Sequence, residues 1–274
     1  MFRDLLVHVD GGEAGRQRVR LAVDLALGSG ARLTGLHVTP PAEISPRYKP
    51  SQVSAAVART AAGLVADARM AKATFEKSAL QRLPNACWIE TRGDVVEGIC
   101  ERARFADLVI LGRDEWQNPP ETHLLPIAHS VVLHCGRPVL VAPIGAPFAT
   151  FAKVAVAWDG SREAVRAVHD ALPLLKLAQT VDILAIIRPN DPGIDAEMNA
   201  LRAHLAAHGI TINANVDCSS GAEEHKTLQR HLDQGSYDLV VMGGYSHPPW
   251  TEFIFGGATL LTLTSSNIPV FVSH

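Results

Sequence analysis

The residues best suited to chemistry lie in a glycine-bearing segment from Met242 to Thr259. It reads Met-Gly-Gly-Tyr-Ser-His-Pro-Pro-Trp-Thr-Glu-Phe-Ile-Phe-Gly-Gly-Ala-Thr. Glycines allow a backbone to approach phosphate oxygens closely, and a helix that begins near Ala258 would add the free N–H groups of its first turn. The chemistry that this segment indicates is therefore the binding of a phosphorylated ligand.

Other familiar phosphate-binding and catalytic motifs are absent from the sequence. There is no Gly-x-x-x-x-Gly-Lys-Ser/Thr loop, which excludes a P-loop ATPase, and no Gly-x-Ser-x-Gly elbow, which leaves a serine hydrolase without support. The four cysteines show no Cys-x-x-Cys spacing, and His204 and His208 stand four positions apart with no third metal ligand in sight. We therefore predict no metal site and no catalytic residues.

The chain contains an internal repeat. The segment Leu5–Gly11 resembles Val154–Gly160, and each is an apolar run that ends in Asp-Gly, as a buried strand before a turn does. Two further matched pairs are Ala106–Gly112 with Tyr237–Gly243, and Arg137–Val141 with Ile268–Val272.

The offsets between the matched segments locate an insertion in the first repeat. Asp10 and Asp159 are 149 positions apart, whereas Gly112 and Gly243 are 131 positions apart. The first repeat therefore carries roughly 18 extra residues in its middle. We predict that they lie in the Pro-rich stretch 40–50, as a loop that leads into a helix.

Apolar residues at helical spacing fill the intervals between the matched strands. Each half therefore reads β-α-β-α-β-α-β-α-β, which predicts a doubly wound, five-stranded parallel sheet with helices on both faces. The predicted domains are residues 1–145 and 151–274. The predicted buried helix faces are Val19, Ala22, Val23 and Ala26 in the first repeat, and Ala164, Val165, Val168, Leu172 and Leu175 in the second, after Ser161 as the N-cap.

In sheets of this kind, ligands bind beyond the carboxyl ends of the strands, where the strand order reverses. Asp10, Asp159, Gly112 and Gly243 all follow or end predicted strands at that edge. The two aspartates belong to different halves, so we expect each to cap its own turn or to contact a ligand separately. A shared acid–base pair is not expected.

The sequence resembles the universal stress protein family in both halves, over essentially the whole chain. The shared features are the aspartate after the first strand, the Asp-Leu-Val-Val-Met-Gly strand and the Pro-Val-aliphatic last strand. Nucleotide-binding members of the family also carry Gly-x-x-Gly, nine residues and then Gly-Ser/Thr. The resemblance implies two tandem domains of the adenine nucleotide α-hydrolase-like fold. It also implies an intrachain pseudo-dimer that pairs the last strands, Val139–Val141 and Val270–Val272.

The family motif, carried onto this sequence, implies a nucleotide site in the second half. Asp159 would hold the ribose, and Ile186 at the end of the second strand would pack on the adenine. The remaining implied binding residues lie in the glycine-bearing segment: Met242, Gly243, Ser246, Gly256, Gly257 and Ala258.

The second half departs from the family motif in ways that weaken its fit to a triphosphate. Ser246 stands where the second glycine belongs, and Gly257 replaces the Ser or Thr that would supply a hydroxyl. Pro248 and Pro249 remove two N–H groups, and residues 243–257 include no Lys or Arg. A glycine-bearing turn that serves chain packing alone therefore remains an alternative.

The first half departs further from the motif. Gly112 is retained, but Glu115 takes the position of the second glycine and Leu125 that of the third, followed by Pro126. Because a carboxylate would repel phosphates, we expect no nucleotide binding in the first half.

Composition sets the remaining expectations. The chain has 274 residues, 47% of them apolar and 19% charged, as two ordinary globular domains would. A net charge of -3 gives no electrostatic reason for binding nucleic acid or an anionic membrane. No apolar run approaches the roughly 20 residues of a membrane span, and the first run is shorter than a signal-peptide core. We expect a cytoplasmic protein.

The function that the resemblance implies is a stress-response protein that binds ATP or another adenine nucleotide in its C-terminal half. It would act as a sensor or regulator and not as an enzyme. The alternative is a nucleotide-free protein-interaction module with degenerate loops. ATP hydrolysis or adenylate transfer is disfavoured, because no general base or metal-binding pair accompanies the loop. The expected partners are the nucleotide, a second copy of the chain and a protein that the sequence does not identify.

Overall fold

The computed structural model describes residues 1–41, 50–113, 126–145, 151–185, 194–217, 224–245 and 258–274. Contacts divide the chain into two compact units, Phe2–Gly112 and Arg113–His274, and Met1 is assigned to the latter. Across these described ranges, no helix combines the length and the apolar character needed to cross a membrane.

The first unit has four parallel strands in the order β3-β2-β1-β4. Because β1 lies between β2 and β4, the strand order reverses at the carboxyl end of β1, as expected. A π-helical turn, Glu76–Leu80, continues α2. The elements are β1 (Asp4–His8), α1 (Glu13–Ser29), β2 (Arg32–Thr39), α2 (Pro50–Phe75), β3 (Cys87–Arg92), α3 (Val95–Ala103) and β4 (Leu108–Gly112).

The second unit has strands in the order β5-β10-β9-β6-β7-β8, and here β6 lies at the reversal point between β9 and β7. Together with the first unit, it confirms the predicted alternation of strands and helices in both repeats. The elements are α4 (Ile127–His134), β5 (Val139–Ala142), β6 (Lys153–Trp158), α5 (Arg162–Leu175), β7 (Thr180–Ala185), α6 (Ile194–Ala207), β8 (Ile212–Asp217), α7 (Glu224–Gly235), β9 (Leu239–Gly243), α8 (Ala258–Ser265) and β10 (Val270–Ser273).

The last strands of the two repeats, β5 and β10, pair with each other, as predicted, and the structure shows that the pairing is antiparallel. Val270 pairs with Val141, Phe271 with Leu140 and Val272 with Val139. All six side chains are at most 1% exposed. This pairing places α4 and β5 of the first repeat in the second compact unit. The domain limits inferred from the repeat, 1–145 and 151–274, stay a prediction.

The extra residues of the first repeat lie largely in a helix, so their placement in a Pro-rich loop was only partly right. Helix α2 has 26 residues, whereas α6 has 14. Asp67 of α2 and Glu197 of α6 both contact the Asp-Gly turn of their repeat. The additional turns therefore precede Asp67, in an Ala-rich sequence of high helix propensity.

The predicted helix faces are confirmed with one exception. The α1 face is fully buried, and Ser161 caps α5 by accepting a hydrogen bond from the Ala164 N–H at 3.1 Å. Val165, however, is 53% exposed. It lies about 100° around the helix from Ala164, beyond the edge of a buried stripe that centres on Ala164, Ala167 and Ala171.

Val270→Lys tests the pairing of β5 with β10. Val270 is 1% exposed, so the variant buries an unpaired ammonium group between the two strands. We expect the free energy of unfolding, measured by urea denaturation, to fall by roughly 3 kcal/mol. Val165→Lys is the matched control, since Val165 is 53% exposed, and it should change stability by less than about 0.5 kcal/mol. Equal stability of the two variants would contradict the pairing.

Candidate functional site

The candidate site of the second repeat lies at the carboxyl edge of β6 and β9. Asp159 follows β6 directly, and Gly243 ends β9 against the first turn of α5. Tyr245, two residues beyond Gly243, is hydrogen bonded to Thr259 in the first turn of α8. The structure therefore brings three parts of the predicted site to one edge: the Asp159 turn, the end of β9 and the start of α8.

Asp159 is an exposed carboxylate whose two oxygens have different surroundings. Oδ1 accepts hydrogen bonds from the backbone N–H of Ser161 at 3.0 Å and from its hydroxyl at 2.6 Å. This is the turn-capping role expected from the sequence. Among the described residues, Oδ2 has no hydrogen-bond partner, so it is available to accept from a ligand hydroxyl.

Two consecutive glycines at the end of β9 are required by close packing. A Cβ on Gly243 would lie 2.5 Å from the backbone N of Ala164, and one on Gly244 would lie 2.8 Å from Cγ2 of Val272. Neither contact leaves space for a methyl group. Gly243, predicted as the first glycine of a phosphate loop, is thus explained by packing against α5 whether or not a ligand binds.

The chain after Gly244 is held by contacts that the sequence did not reveal. Tyr245 has a left-handed backbone, with φ of 56°, and is 4% exposed. Its N–H donates to Thr259 Oγ1 at 3.2 Å, and its hydroxyl forms a short hydrogen bond with Nδ1 of His129 in α4. His129 is buried, and this burial lowers its pKa from 6.5 to about 4.

The other predicted binding residues are only partly accounted for. Met242 is 4% exposed and pairs with Val272 in the sheet. Ala258 begins α8, as predicted. Four further predicted residues lie outside the described residues: Ile186, Ser246, Gly256 and Gly257.

The first repeat has a different arrangement at the equivalent edge, built around Arg18 of α1. Nη2 of Arg18 is 2.8 Å from Oδ2 of Asp10, and Nη1 donates to the backbone oxygen of His8 at 2.7 Å. The same guanidinium packs on Gly112, where a Cβ would lie 2.2 Å from Nη2. Arg18 therefore contacts the ends of both β1 and β4.

Arg18 also affects the pKa of two neighbouring groups, Asp10 and His8. Burial alone would raise the pKa of Asp10, but the charge and hydrogen bond of Arg18 lower it below its ordinary value. Burial, followed by the charge of Arg18, lowers the pKa of His8 to about 3. The edge of the first repeat thus holds a carboxylate already neutralised by a guanidinium whose side chain is 6% exposed.

The role of Arg18 was missed in the sequence, although a signal was present. The offset that relates Asp10 to Asp159 also relates Arg18 to Ala167. Ala167 is fully buried in α5 and carries no charge. A cation among the apolar residues of α1, where the second repeat has alanine, marks a difference between the two edges.

An acidic residue from the second helix of each repeat contacts the Asp-Gly turn, and this was also missed. The Gly11 N–H donates to Oδ1 of Asp67 at 2.9 Å. Trp158 Nε1 donates to Oε1 of Glu197 at 2.8 Å, and this oxygen lies against Gly160. Asp67 and Glu197 are 130 positions apart, close to the offset of the later strands.

Comparisons with known proteins agree with the fold. The model of the universal stress protein family matches residues 1–143. A universal stress protein from Archaeoglobus fulgidus DSM 4304 has 18% identity, with 98% of this chain and 95% of that chain covered and a TM-score of 0.69. A putative universal stress protein from Pseudomonas aeruginosa UCBPP-PA14 has 17% identity, with 99% and 93% covered and a TM-score of 0.59. No curated protein matches the chain.

Replacing the two equivalent aspartates should affect stability differently. Asp10→Ala leaves the buried Arg18 guanidinium without its carboxylate, and we expect it to cost about 2 kcal/mol of unfolding free energy. This is less than for a fully buried pair, because the side chain of Asp10 is 39% exposed. Asp159→Ala removes only a local turn contact and should cost about 0.5–1 kcal/mol. Urea denaturation measures both, and equal losses would contradict the role of Arg18.

Stability should fall in acid because His129 is buried in its neutral form. The unfolded chain takes up this proton near pH 6.5, whereas the folded chain does so only near pH 4. Stability from this group is therefore complete above pH 6.5 and is lost as the pH falls towards 4, by up to about 3 kcal/mol. Denaturation of the wild type and of His129→Gln at several pH values checks this, and parallel pH profiles would contradict it.

Proposed function

Because the chain belongs to the universal stress protein family, we propose that its second repeat binds ATP or another adenine nucleotide. The protein then acts as a sensor or regulator in a stress response, and not as a catalyst. The nucleotide lies at the carboxyl edge of β6 and β9, with its ribose near Asp159 and its phosphates near the first turn of α8.

The observation that carries this proposal is the contrast between Asp159 and Asp10. Asp159 is exposed at the point where the strand order reverses, and its Oδ2 has no hydrogen-bond partner among the described residues. Asp10, at the equivalent point, is bound by Arg18 within the fold. Of these two aspartates, Asp159 is therefore the one that a ribose hydroxyl can reach without breaking the ion pair seen at Asp10.

The start of α8 supports the phosphate end of the proposal. The first N–H groups of an α-helix have no partner within the helix and favour an anion. Thr259 adds a hydroxyl in this turn, two residues after Gly257. Its Oγ1 accepts from the Tyr245 N–H, and its own hydrogen has no acceptor among the described residues. This hydroxyl compensates in part for the Ser or Thr that position 257 lacks.

The second candidate is a nucleotide-free interaction module, and one observation favours it. Packing requires glycine at both 243 and 244. A Cβ would lie 2.5 Å from the nearest atom at Gly243 and 2.8 Å from the nearest atom at Gly244. The glycines would therefore be retained even if no ligand were bound. The two candidates differ in whether the purified protein binds a nucleotide at all.

Calorimetric titration of the purified chain with ATP and with AMP tests the proposal. We expect a stoichiometry near one nucleotide per chain, with binding weakened about tenfold or more in Asp159→Ala, which loses a hydrogen bond between a charged group and the ligand. Asp10→Ala is the matched control. It should bind normally at a temperature where it is folded, although it is the less stable of the two variants.

Three outcomes would contradict the proposed function. Two equivalent sites per chain would mean that Arg18 does not exclude nucleotide from the first repeat. A flat titration, together with no nucleotide in mass spectra of the purified protein, would favour the interaction module. Steady formation of ADP or AMP from ATP would contradict the role as a sensor without catalysis.

A further inference from the structure

We propose that Tyr245 is a positioning residue that fixes the end of β9 to two helices, α8 of its own repeat and α4 of the first repeat. Through these contacts the nucleotide site of the second repeat is coupled to α4. The coupling to nucleotide rests on the proposed function, whereas the positioning role of Tyr245 stands without it.

The backbone of Tyr245 indicates that specific contacts hold it. A φ of 56° is the left-handed region, which disfavours residues with a Cβ by roughly 1–2 kcal/mol. A large aromatic residue in this conformation persists only where its surroundings compensate for the strain. The compensating contacts come from both sides of the residue, through its N–H and through its ring.

The N–H of Tyr245 joins the two ends of the predicted loop. It donates to Oγ1 of Thr259 at 3.2 Å, and Thr259 is 4% exposed in the first turn of α8. The turn of α8 that is proposed to meet the phosphates is thereby fixed relative to the carboxyl end of β9. Any movement of this turn must break or move that hydrogen bond.

The ring of Tyr245 extends the connection to α4. Its hydroxyl forms a hydrogen bond with Nδ1 of His129, which is 1% exposed. The ring of His274 lies edge-on to the Tyr245 ring, at 6.3 Å between centroids and 81° between planes. Its Nδ1 donates to the Gly244 oxygen at 2.8 Å. Tyr245 is thus enclosed by side chains from α4, from α8 and from the end of β10.

The backbone before Tyr245 is confined by the same elements. A Cβ on Gly244 would lie 2.8 Å from Cγ2 of Val272 and 3.2 Å from Cγ1 of Val132 in α4. The chain therefore touches α4 through its backbone at Gly244 and through a side chain at Tyr245. These two contacts leave little freedom for the end of β9 to move without α4.

The hydrogen bond between Tyr245 and His129 is buried, and both of its partners are uncharged near pH 7. Burial keeps the pKa of His129 at about 4, so the imidazole is neutral near pH 7. Removing the tyrosine hydroxyl leaves a buried ring nitrogen without this partner, which costs more than losing a contact at the surface. A ligand that binds to Thr259 or to the end of β9 therefore changes the contacts of α4 as well.

The first test uses the protein without nucleotide. Tyr245→Phe removes one hydroxyl and keeps the ring. Tyr237→Phe is the matched control: Tyr237 is 7% exposed, and its hydroxyl donates to Oδ2 of Asp182 in β7 at 3.0 Å. We expect Tyr245→Phe to accelerate amide hydrogen exchange in residues 127–134 and 258–265 by about tenfold, and Tyr237→Phe to leave both segments unchanged.

A double-mutant cycle shows whether the effect of Tyr245 depends on its hydrogen bond with His129. If Tyr245 acts through His129, the combination of Tyr245→Phe with His129→Leu should accelerate exchange in 258–265 no more than the larger of the two single variants. Additive effects would overturn the proposed connection to α4. Equal exchange in Tyr245→Phe and Tyr237→Phe would overturn the positioning role itself.

The second test adds AMP or ATP at saturating concentration. We expect nucleotide to protect residues 127–134 from exchange in the wild type but not in Tyr245→Phe, and the Kd to rise about three- to tenfold in Tyr245→Phe only. Binding without protection of 127–134 would overturn the coupling. If the wild type binds no nucleotide, the proposed function fails, while the exchange measured without nucleotide still decides the role of Tyr245.

Discussion

The antiparallel pairing of β5 with β10 is the interaction on which the rest of the second unit depends. Its six facing side chains are at most 1% exposed, and each strand would otherwise present an apolar edge with unpaired backbone groups. The pairing also brings α4, which precedes β5, to the end of β9. The contact between His129 and Tyr245 exists because the two repeats meet at this pair of strands.

The two repeats keep one architecture but differ in the chemistry at the reversal point of their strands. Both retain an aspartate after the first strand and an acidic side chain from the second helix, Asp67 or Glu197, at the turn. One difference between them lies in the first helix, where Arg18 stands in one repeat and Ala167 at the matching position of the other. The guanidinium binds the aspartate of the first repeat, and the methyl group leaves that of the second repeat exposed.

Much of the fold was predictable because its signals are local or repeated. Apolar runs and helical periodicity predicted the order of elements, and an apolar last strand in each repeat predicted their pairing. The length of α2 was not predicted, because the prolines of residues 40–50 indicate a loop, whereas most of the extra residues form helix in the Ala-rich sequence that follows. Val165 was placed in the core because a short apolar stripe does not define its own edges.

The site was less predictable, because its decisive contacts join residues that are distant in sequence. Arg18 meets Gly112, and His129 meets Tyr245 across 116 positions. No spacing rule within one helix or loop indicates such pairs. Comparison of the repeats position by position is the one sequence signal that would have singled out Arg18.

Glycine spacing alone is weak support for a ligand here, because packing accounts for Gly243 and Gly244. Stronger support comes from polar groups whose hydrogen-bonding capacity the described part of the fold does not use. In the first repeat, Arg18 satisfies the carboxylate at the reversal point. In the second repeat, Oδ2 of Asp159 and the hydroxyl hydrogen of Thr259 have no such internal partner among the described residues. A ribose hydroxyl donates and a phosphate oxygen accepts, so one nucleotide would satisfy both groups, as the guanidinium does for Asp10.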